Sequence, residues 1–232
     1  MSSDGAEAGQ GGPAPSEDGF VTFSPELLAM VTPPKGRPAV ALHEMASRLI
    51  VQQVDRGRRG VVVCAPNRGV GASLLSANLA IAIAQVGVSV LLVDANLHDP
   101  GLDELIAVSP PPIGLQQVLR EPGMPADTAI YHNLVPGLSV LFAGGACPDG
   151  SELIGGARCS VLMAECLRNF DYTIVDAPAA NRTPDARRLA SYVGYGLIVS
   201  RRNRTYVDDV TTLAAELAEA SAETIGTIFN AG

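Results

Sequence analysis

Three stretches of this 232-residue chain combine residue types and spacings that could act on a phosphate. The first is CAPNRGVGAS (64–73), a glycine-spaced loop between the apolar run GVVV and a long series of small and aliphatic residues. Backbone N–H groups of Gly69, Val70, Gly71, Ala72 and Ser73 would converge there on phosphate oxygens, aided by the positive end of the following helix. The Ser73 hydroxyl would sit on Mg²⁺. The other two are acids that close apolar runs, Asp94 after VSVLLV and Asp176 after DYTIV. Carboxylates so placed can hold a metal ion or its water. One group is missing: the position before the serine, ordinarily a lysine that grips the phosphates, is Ala72.

The elements that must position these residues are read from hydrophobic patterning. Apolar residues at helical spacing predict a helix over 40–53 (Val40, Leu42, Met45, Leu49, Ile50). Strands are predicted over 60–64, 88–94, 138–142, 172–176, 196–200 and 224–229, with helices over 73–86 and 205–220. Continuous β-branched runs alternating with helices specify an α/β domain, its mostly parallel sheet covered by helices on both faces. Ligands of such sheets bind at the carboxyl ends of the strands, which draws attention to the loops after Cys64, Asp94, Asp176 and Ser200. The domain is expected to span 39–232. Residues 1–38 form a separate N-terminal segment, Gly/Ser/Pro/acid-rich and disordered at first, with FVTFSPELLAMV (20–31) able to dock.

Composition narrows the function classes. Hydrophobic residues make up 47% and charged residues 17%, which fits a globular protein with a full core. A net charge of -8, no tryptophan and 4% aromatic residues argue against nucleic-acid binding. Cys64, Cys147, Cys159 and Cys166 lack C-x-x-C spacing and nearby histidines, which predicts reduced, buried thiols in a cytoplasmic protein. MSSDGAEAGQ has no secretory-signal pattern. The longest apolar region, 74–93, is interrupted by Asn78, Gln85, Gly87 and Ser89, so no direct membrane span is expected and any membrane link runs through a partner.

The glycine loop admits two readings. As a dinucleotide fingerprint, Gly69 and Gly71 would approach a pyrophosphate and Asp94 would take ribose hydroxyls. The third small position is then occupied by Leu74. The Tyr-x-x-x-Lys chemistry of short-chain dehydrogenases cannot be assembled either, because the single lysine is Lys35, upstream of the first strand of the domain. As a P-loop, the same residues cradle phosphates and Ser73 meets Mg²⁺. The remaining positions favour the P-loop.

VSVLLVDANLHDP (88–100) resembles the second motif of the bacterial tyrosine kinases (BY-kinases) of capsule and exopolysaccharide synthesis, members of the deviant P-loop class that includes MinD and ParA. Asp94, Ala95, Leu97 and Pro100 match that motif; Asn96 and His98 depart from it. FDYTIVDAP (170–178) resembles the family's Walker B strand. GLQQVL (114–119), LSVLFAGG (138–145), CPDGSELI (147–154), TPDARRLA (183–190), GLIVSRRNRT (196–205) and TIGTIFNAG (224–232) resemble further family segments in the same order. The resemblance covers about residues 40–232. It implies a P-loop domain binding ATP or ADP with Mg²⁺ through residues 68–73, Asp94 and Asp176. Asp94 and Asp176 are the catalytic pair if the chain is active. It also implies a membrane-embedded polysaccharide co-polymerase as partner, peripheral placement at the inner membrane through that partner, and homo- or hetero-oligomers.

The departures weaken the chemistry. Ala72 cannot neutralise a transferring phosphoryl group, and losing one preorganised charge-stabilising group costs roughly 10²–10³ in rate. Arg68 is either a cation able to fold over the phosphates or a solvated surface side chain. Asp94 is either a base or metal-water ligand, or an acid capping the next turn. Asn96 cannot serve as a general base, and His98 stands where the family has arginine. Glu44 and Arg48 have the spacing of a helix surface pair, not that of the family's Glu-x-x-Arg-x-x-Arg oligomerisation motif. The family's tyrosine cluster has no counterpart among Tyr131, Tyr172, Tyr192, Tyr195 and Tyr206. The expected function is thus a catalytically impaired BY-kinase-like regulator of polysaccharide synthesis acting through protein binding. The alternatives are an active ATPase or tyrosine kinase using Arg68 or a partner's cation, and a ParA/MinD-like positioning ATPase.

Overall fold

The computed structural model describes residues 20–24, 28–31 and 37–231. The composition-based disorder of residues 1–19 and most of PPKGRP (33–38) fall outside these. In chain order the elements are β1 (Phe20–Phe23), α1 (Arg37–Gln52), β2 (Gly60–Cys64), α2 (Ala72–Ala84), β3 (Val90–Asp94), α3 (Leu102–Leu105), β4 (Ile106–Ser109), α4 (Leu115–Arg120), β5 (Ile130–Val135), β6 (Leu138–Leu141), α5 (Gly150–Gly155), α6 (Ala157–Asn169), β7 (Tyr172–Asp176), α7 (Asp185–Val193), β8 (Tyr195–Arg201), α8 (Val207–Glu219) and β9 (Glu223–Asn230).

A seven-stranded sheet runs β5-β6-β3-β7-β2-β8-β9. Every neighbouring pair is parallel except the edge pair β5–β6. The central strands β2, β3 and β7 are buried along their whole length, as strands covered on both faces must be. Their alternation divides the core in two. Val62, Cys64, Leu91 and Val93 face a layer containing α6, α7 and α8. Val61, Val63, Val90 and Leu92 face α1 and α2.

Helix α2 lies between the sheet and α1, and its residues Ser76–Ala84 are all buried. Apart from Ser73, Ser76 and Asn78 it is apolar on every side, as a doubly covered helix requires. Its alanines keep the axis close to the strands.

Three strands were not expected from the sequence. β1 pairs antiparallel with β4 in a separate two-stranded ribbon, Phe20 opposite Ser109, and β5 adds the antiparallel edge. Leu28 and Met30 are fully buried in the α1–α2 layer, and the Gln85 amide donates to the Met30 carbonyl at 2.7 Å. Residues 20–24 and 28–31 therefore pack on the domain. All four cysteines are buried free thiols. Among the described residues no helix is long and apolar enough to cross a membrane.

Candidate functional site

The loop after β2 is shaped by two glycines whose backbones occupy the left-handed region, Gly69 at φ 70° and Gly71 at φ 91°. Side chains at these positions would be strained. They would also displace neighbours: a Cβ on Gly69 would lie 2.8 Å from the Arg204 guanidinium, and one on Gly71 2.8 Å from the Asn230 amide. Gly71 caps α2 with no side-chain hydrogen bond, which leaves the first-turn N–H groups available to an anion. The loop borders a cavity of about 260 Å³ lined by residues 67–74 together with Asn96, Asp99, Pro100 and Gly101. Arg68, Gly69, Val70, Gly71, Ala72 and Ser73 are thus brought together around one space.

Beneath the loop lie the two acids. Asp94 and Asp176 end adjacent strands in register and are 1% and 0% exposed. Asp94 accepts backbone N–H bonds from Asn96 (3.1 Å), Gly101 (3.3 Å) and Leu102 (3.2 Å). It therefore ties down the turn that follows its strand. Asp176 accepts hydrogen bonds from the Ser73 and Ser76 hydroxyls, the latter at 3.0 Å. Burial raises the pKa of both carboxyls, and the charge of Asp176 raises Asp94 further against the pull of its three N–H donors. The Ser76 hydroxyl also lies 3.0 Å from the Ala72 carbonyl. It can donate to only one of these two acceptors at a time.

The residues present fit Mg²⁺ as a P-loop binds it. Ser73 and Asp176 supply oxygen donors, and Asp176 Oδ2 is buried with no hydrogen-bond partner. No cluster of three or more metal-ligating His, Cys, Asp or Glu occurs among the described residues. A metal here would draw its remaining ligands from phosphate and water.

The cation side of the cavity is different. Ala72 places a methyl group at the start of α2. The Arg68 guanidinium lines the cavity and forms an ion pair with Asp99. Both side chains are at least half exposed, 50% and 59%.

Several residues in the site were not singled out from the sequence. Arg201 donates to the Gly69 carbonyl at 3.1 Å, and Asn230 to the Val70 carbonyl at 2.8 Å. Asn67 donates to the Arg204 carbonyl at 2.9 Å. The loop is therefore held by the ends of β8 and β9, and Ser76 reaches Asp176 from one turn into α2. A helical wheel from Ser73 would have found Ser76; no local signal marks Arg201 or Asn230. A second cluster lies nearby. His98 Nε2 is 3.0 Å from Ser151 Oγ and 3.4 Å from Asp185 Oδ2, and Ser151 donates to Asp185 at 2.8 Å. The segments DANLHDP, CPDGSELI and TPDARRLA meet there.

No family model matches the chain. It is 31% identical over 191 residues to EpsB of Ralstonia solanacearum, provisionally named a tyrosine-protein kinase, in a match covering 82% of this chain and 25% of EpsB. It is 28% identical over 163 residues to the succinoglycan biosynthesis transport protein ExoP of Rhizobium meliloti (strain 1021), covering 69% of this chain and 20% of ExoP. The chain thus spans a quarter or less of the length of these two relatives. Among solved structures, the kinase domain of the Escherichia coli tyrosine kinase ETK matches with a TM-score of 0.80 and 25% identity, over 88% of this chain and 79% of that one.

Proposed function

The chain belongs to the bacterial tyrosine kinase (BY-kinase) family of P-loop proteins, and we propose that it regulates capsule or exopolysaccharide synthesis through a protein partner, its own phosphoryl transfer lost or severely weakened. Ala72 carries this reading. Transfer of a phosphoryl group depends on positioning and on charge stabilisation, and a methyl group at the head of α2 supplies no charge. Arg68, the cation among the described residues that line the cavity, is engaged by Asp99. The expected penalty is roughly 10²–10³ in rate.

What remains can still orient a nucleotide. The amides of residues 69–73 and the uncapped start of α2 would receive phosphate oxygens, while Ser73 and Asp176 would hold Mg²⁺, with Asp94 behind them. Bound there, Mg²⁺ would offset phosphate charge. The proposed partner is a membrane-embedded polysaccharide co-polymerase, which would keep this chain at the cytoplasmic face of the inner membrane. The family resemblance supports that placement, and the name of ExoP, a succinoglycan biosynthesis transport protein, supports the link to polysaccharide synthesis.

Calorimetry with Mg-ATP and Mg-ADP on the wild type and on Ala72→Lys tests the reading. Weak or absent binding is expected in the wild type and clear strengthening in the variant. Micromolar ATP binding with turnover by the wild type would overturn it. The second reading, an active enzyme, is favoured by the intact Ser73–Asp176–Asp94 set and by Arg68 at the cavity wall. It requires Arg68 to leave Asp99.

A further inference from the structure

Two polar side chains interrupt the buried stretch of α2, Ser76 at 0% exposure and Asn78 at 4%. A buried polar group needs a partner to offset its lost hydration. Asn78 serves the fold, because its side-chain oxygen accepts the Met30 N–H at 3.3 Å and so holds the 28–31 segment. Ser76 faces two acceptors, the Ala72 carbonyl one turn back and Oδ1 of Asp176 at the end of β7, each at 3.0 Å.

One hydroxyl proton cannot serve both. The Ala72 carbonyl already accepts the Ser76 backbone N–H as part of the helix, so it loses little without the hydroxyl. Asp176 is a fully buried carboxyl, and a donor withheld from it would leave an oxygen unpaired. The proton therefore belongs to Oδ1. The oxygen left over is Oδ2, buried and without a hydrogen-bond partner. The Ser73 hydroxyl also donates to this carboxyl, but Ser73 lines the phosphate-loop cavity, where a cation would claim its oxygen. Ser76 sits nearly one turn further along the helix with no exposure at all.

We infer that Ser76 is a positioning residue for a divalent cation: by donating to Oδ1 it fixes the plane of the Asp176 carboxylate and reserves Oδ2 for the cation. The inference rests on the reading of Ser73 and Asp176 as the cation's protein ligands. It adds that affinity depends on a side chain that never touches the ion. An orienting partner behind a metal ligand is worth about 10–100-fold in affinity.

The test is titration of the whole chain with Mn²⁺ alone, followed by water-proton relaxation. The Mn²⁺ lost in Asp176→Asn identifies the site. Ser76→Ala should weaken that Mn²⁺ about tenfold, whereas Ser76→Thr, which keeps the hydroxyl, should stay within about twofold of the wild type. A role in packing alone would lower the melting temperature of these variants and leave Mn²⁺ affinity unchanged. Should Ser76→Ala fail to fold, Ser76→Cys decides: its weak S–H donor should cost about threefold or more. Mn²⁺ affinity in Ser76→Ala, or in Ser76→Cys where that variant decides, equal to that of the wild type overturns the inference, since the hydroxyl would then belong to Ala72. So does a Ser76→Thr protein as weak as Ser76→Ala. If Asp176→Asn loses Mn²⁺ and Ser76→Ala does not, the cation reading stands and only this inference fails. If Asp176→Asn loses none, both fail. Turnover of ATP by the wild type would overturn the impaired-kinase reading and leave the Mn²⁺ result as it is.

Discussion

The two halves of the candidate nucleotide site are built differently. In the carboxylate half, Asp94 and Asp176 are buried and bonded into the fold, Asp94 through three backbone N–H groups and Asp176 through two serine hydroxyls. In the cation half, Ala72 offers a methyl group and Arg68 extends half-exposed to Asp99. The contrast separates two kinds of functional residue. Asp94 satisfies donors that would otherwise be orphaned, so removing it damages the turn it holds whether or not a nucleotide ever binds. A phosphate-gripping lysine at position 72 would serve the ligand alone, and its replacement by alanine, the best helix former, costs the fold nothing. Chemistry can be lost from the second kind while the architecture stays intact.

Asp94→Ala should have the largest effect on the carboxylate half. The amides of Asn96, Gly101 and Leu102 would lose their acceptor, and the expected cost is about 3 kcal/mol of stability. Amide exchange at Gly101 and Leu102 should accelerate with it. The measurement belongs near pH 5, where repulsion between the two carboxyls is least. A variant as stable as the wild type, with unchanged exchange at these amides, would mean that Asp94 serves chemistry only and that the two halves do not differ.

Asp176→Asn should change how stability depends on pH. Both carboxyls have pKa values raised by burial, so the folded state holds protons that the unfolded chain releases from about pH 4 upward. Stability from the pair is therefore greatest below that pH and falls as pH rises toward the folded values. Replacing Asp176 by a neutral isostere removes the repulsion and keeps an oxygen for Ser73 and Ser76. The variant should melt higher than the wild type at pH 8, by roughly 3 °C for each kcal/mol of strain relieved, and should differ little at pH 5. Equal melting temperatures at both values, by calorimetric scans, would show that the pair is not strained.

The carboxylate half was also the more legible in the sequence. Short, β-branched apolar runs ending in Asp94 and Asp176 read as central strands of a covered sheet, and the structure places the two acids in register at their ends. Elements defined by distant partners were not legible. β1 needs β4, with Phe20 opposite Ser109, and neither has a turn or an alternation long enough to announce it. β5 is an edge strand with an irregular register between Tyr131 and Val135, which blurs its period. Arg201 and Asn230 reach the phosphate loop only because β8 and β9 lie beyond β2 in the sheet. His98, Ser151 and Asp185 each fell within a recognisable segment, but their contact arises only once three loops have been brought to one end of the sheet. Chain-local chemistry is readable from spacing; contacts that depend on strand order are not.

The smallest effect is expected at Arg68. Its ion pair with Asp99 joins two side chains that are at least half exposed, and such pairs contribute about 0–1 kcal/mol. Arg68→Ala should therefore shift the melting temperature by less than about 3 °C and leave amide exchange at Gly101 and Leu102 as it is in the wild type. The informative measurement is nucleotide affinity in the Ala72→Lys background. If the restored lysine supplies the missing charge, Arg68→Ala weakens Mg-ATP binding there by less than about tenfold, because an exposed, already paired cation adds little. A larger loss, or the disappearance of any nucleotide binding that the wild type retains, would make Arg68 the working cation of the site. The cation half would then be rebuilt around an arginine from the loop, and the active-enzyme reading would replace the impaired one.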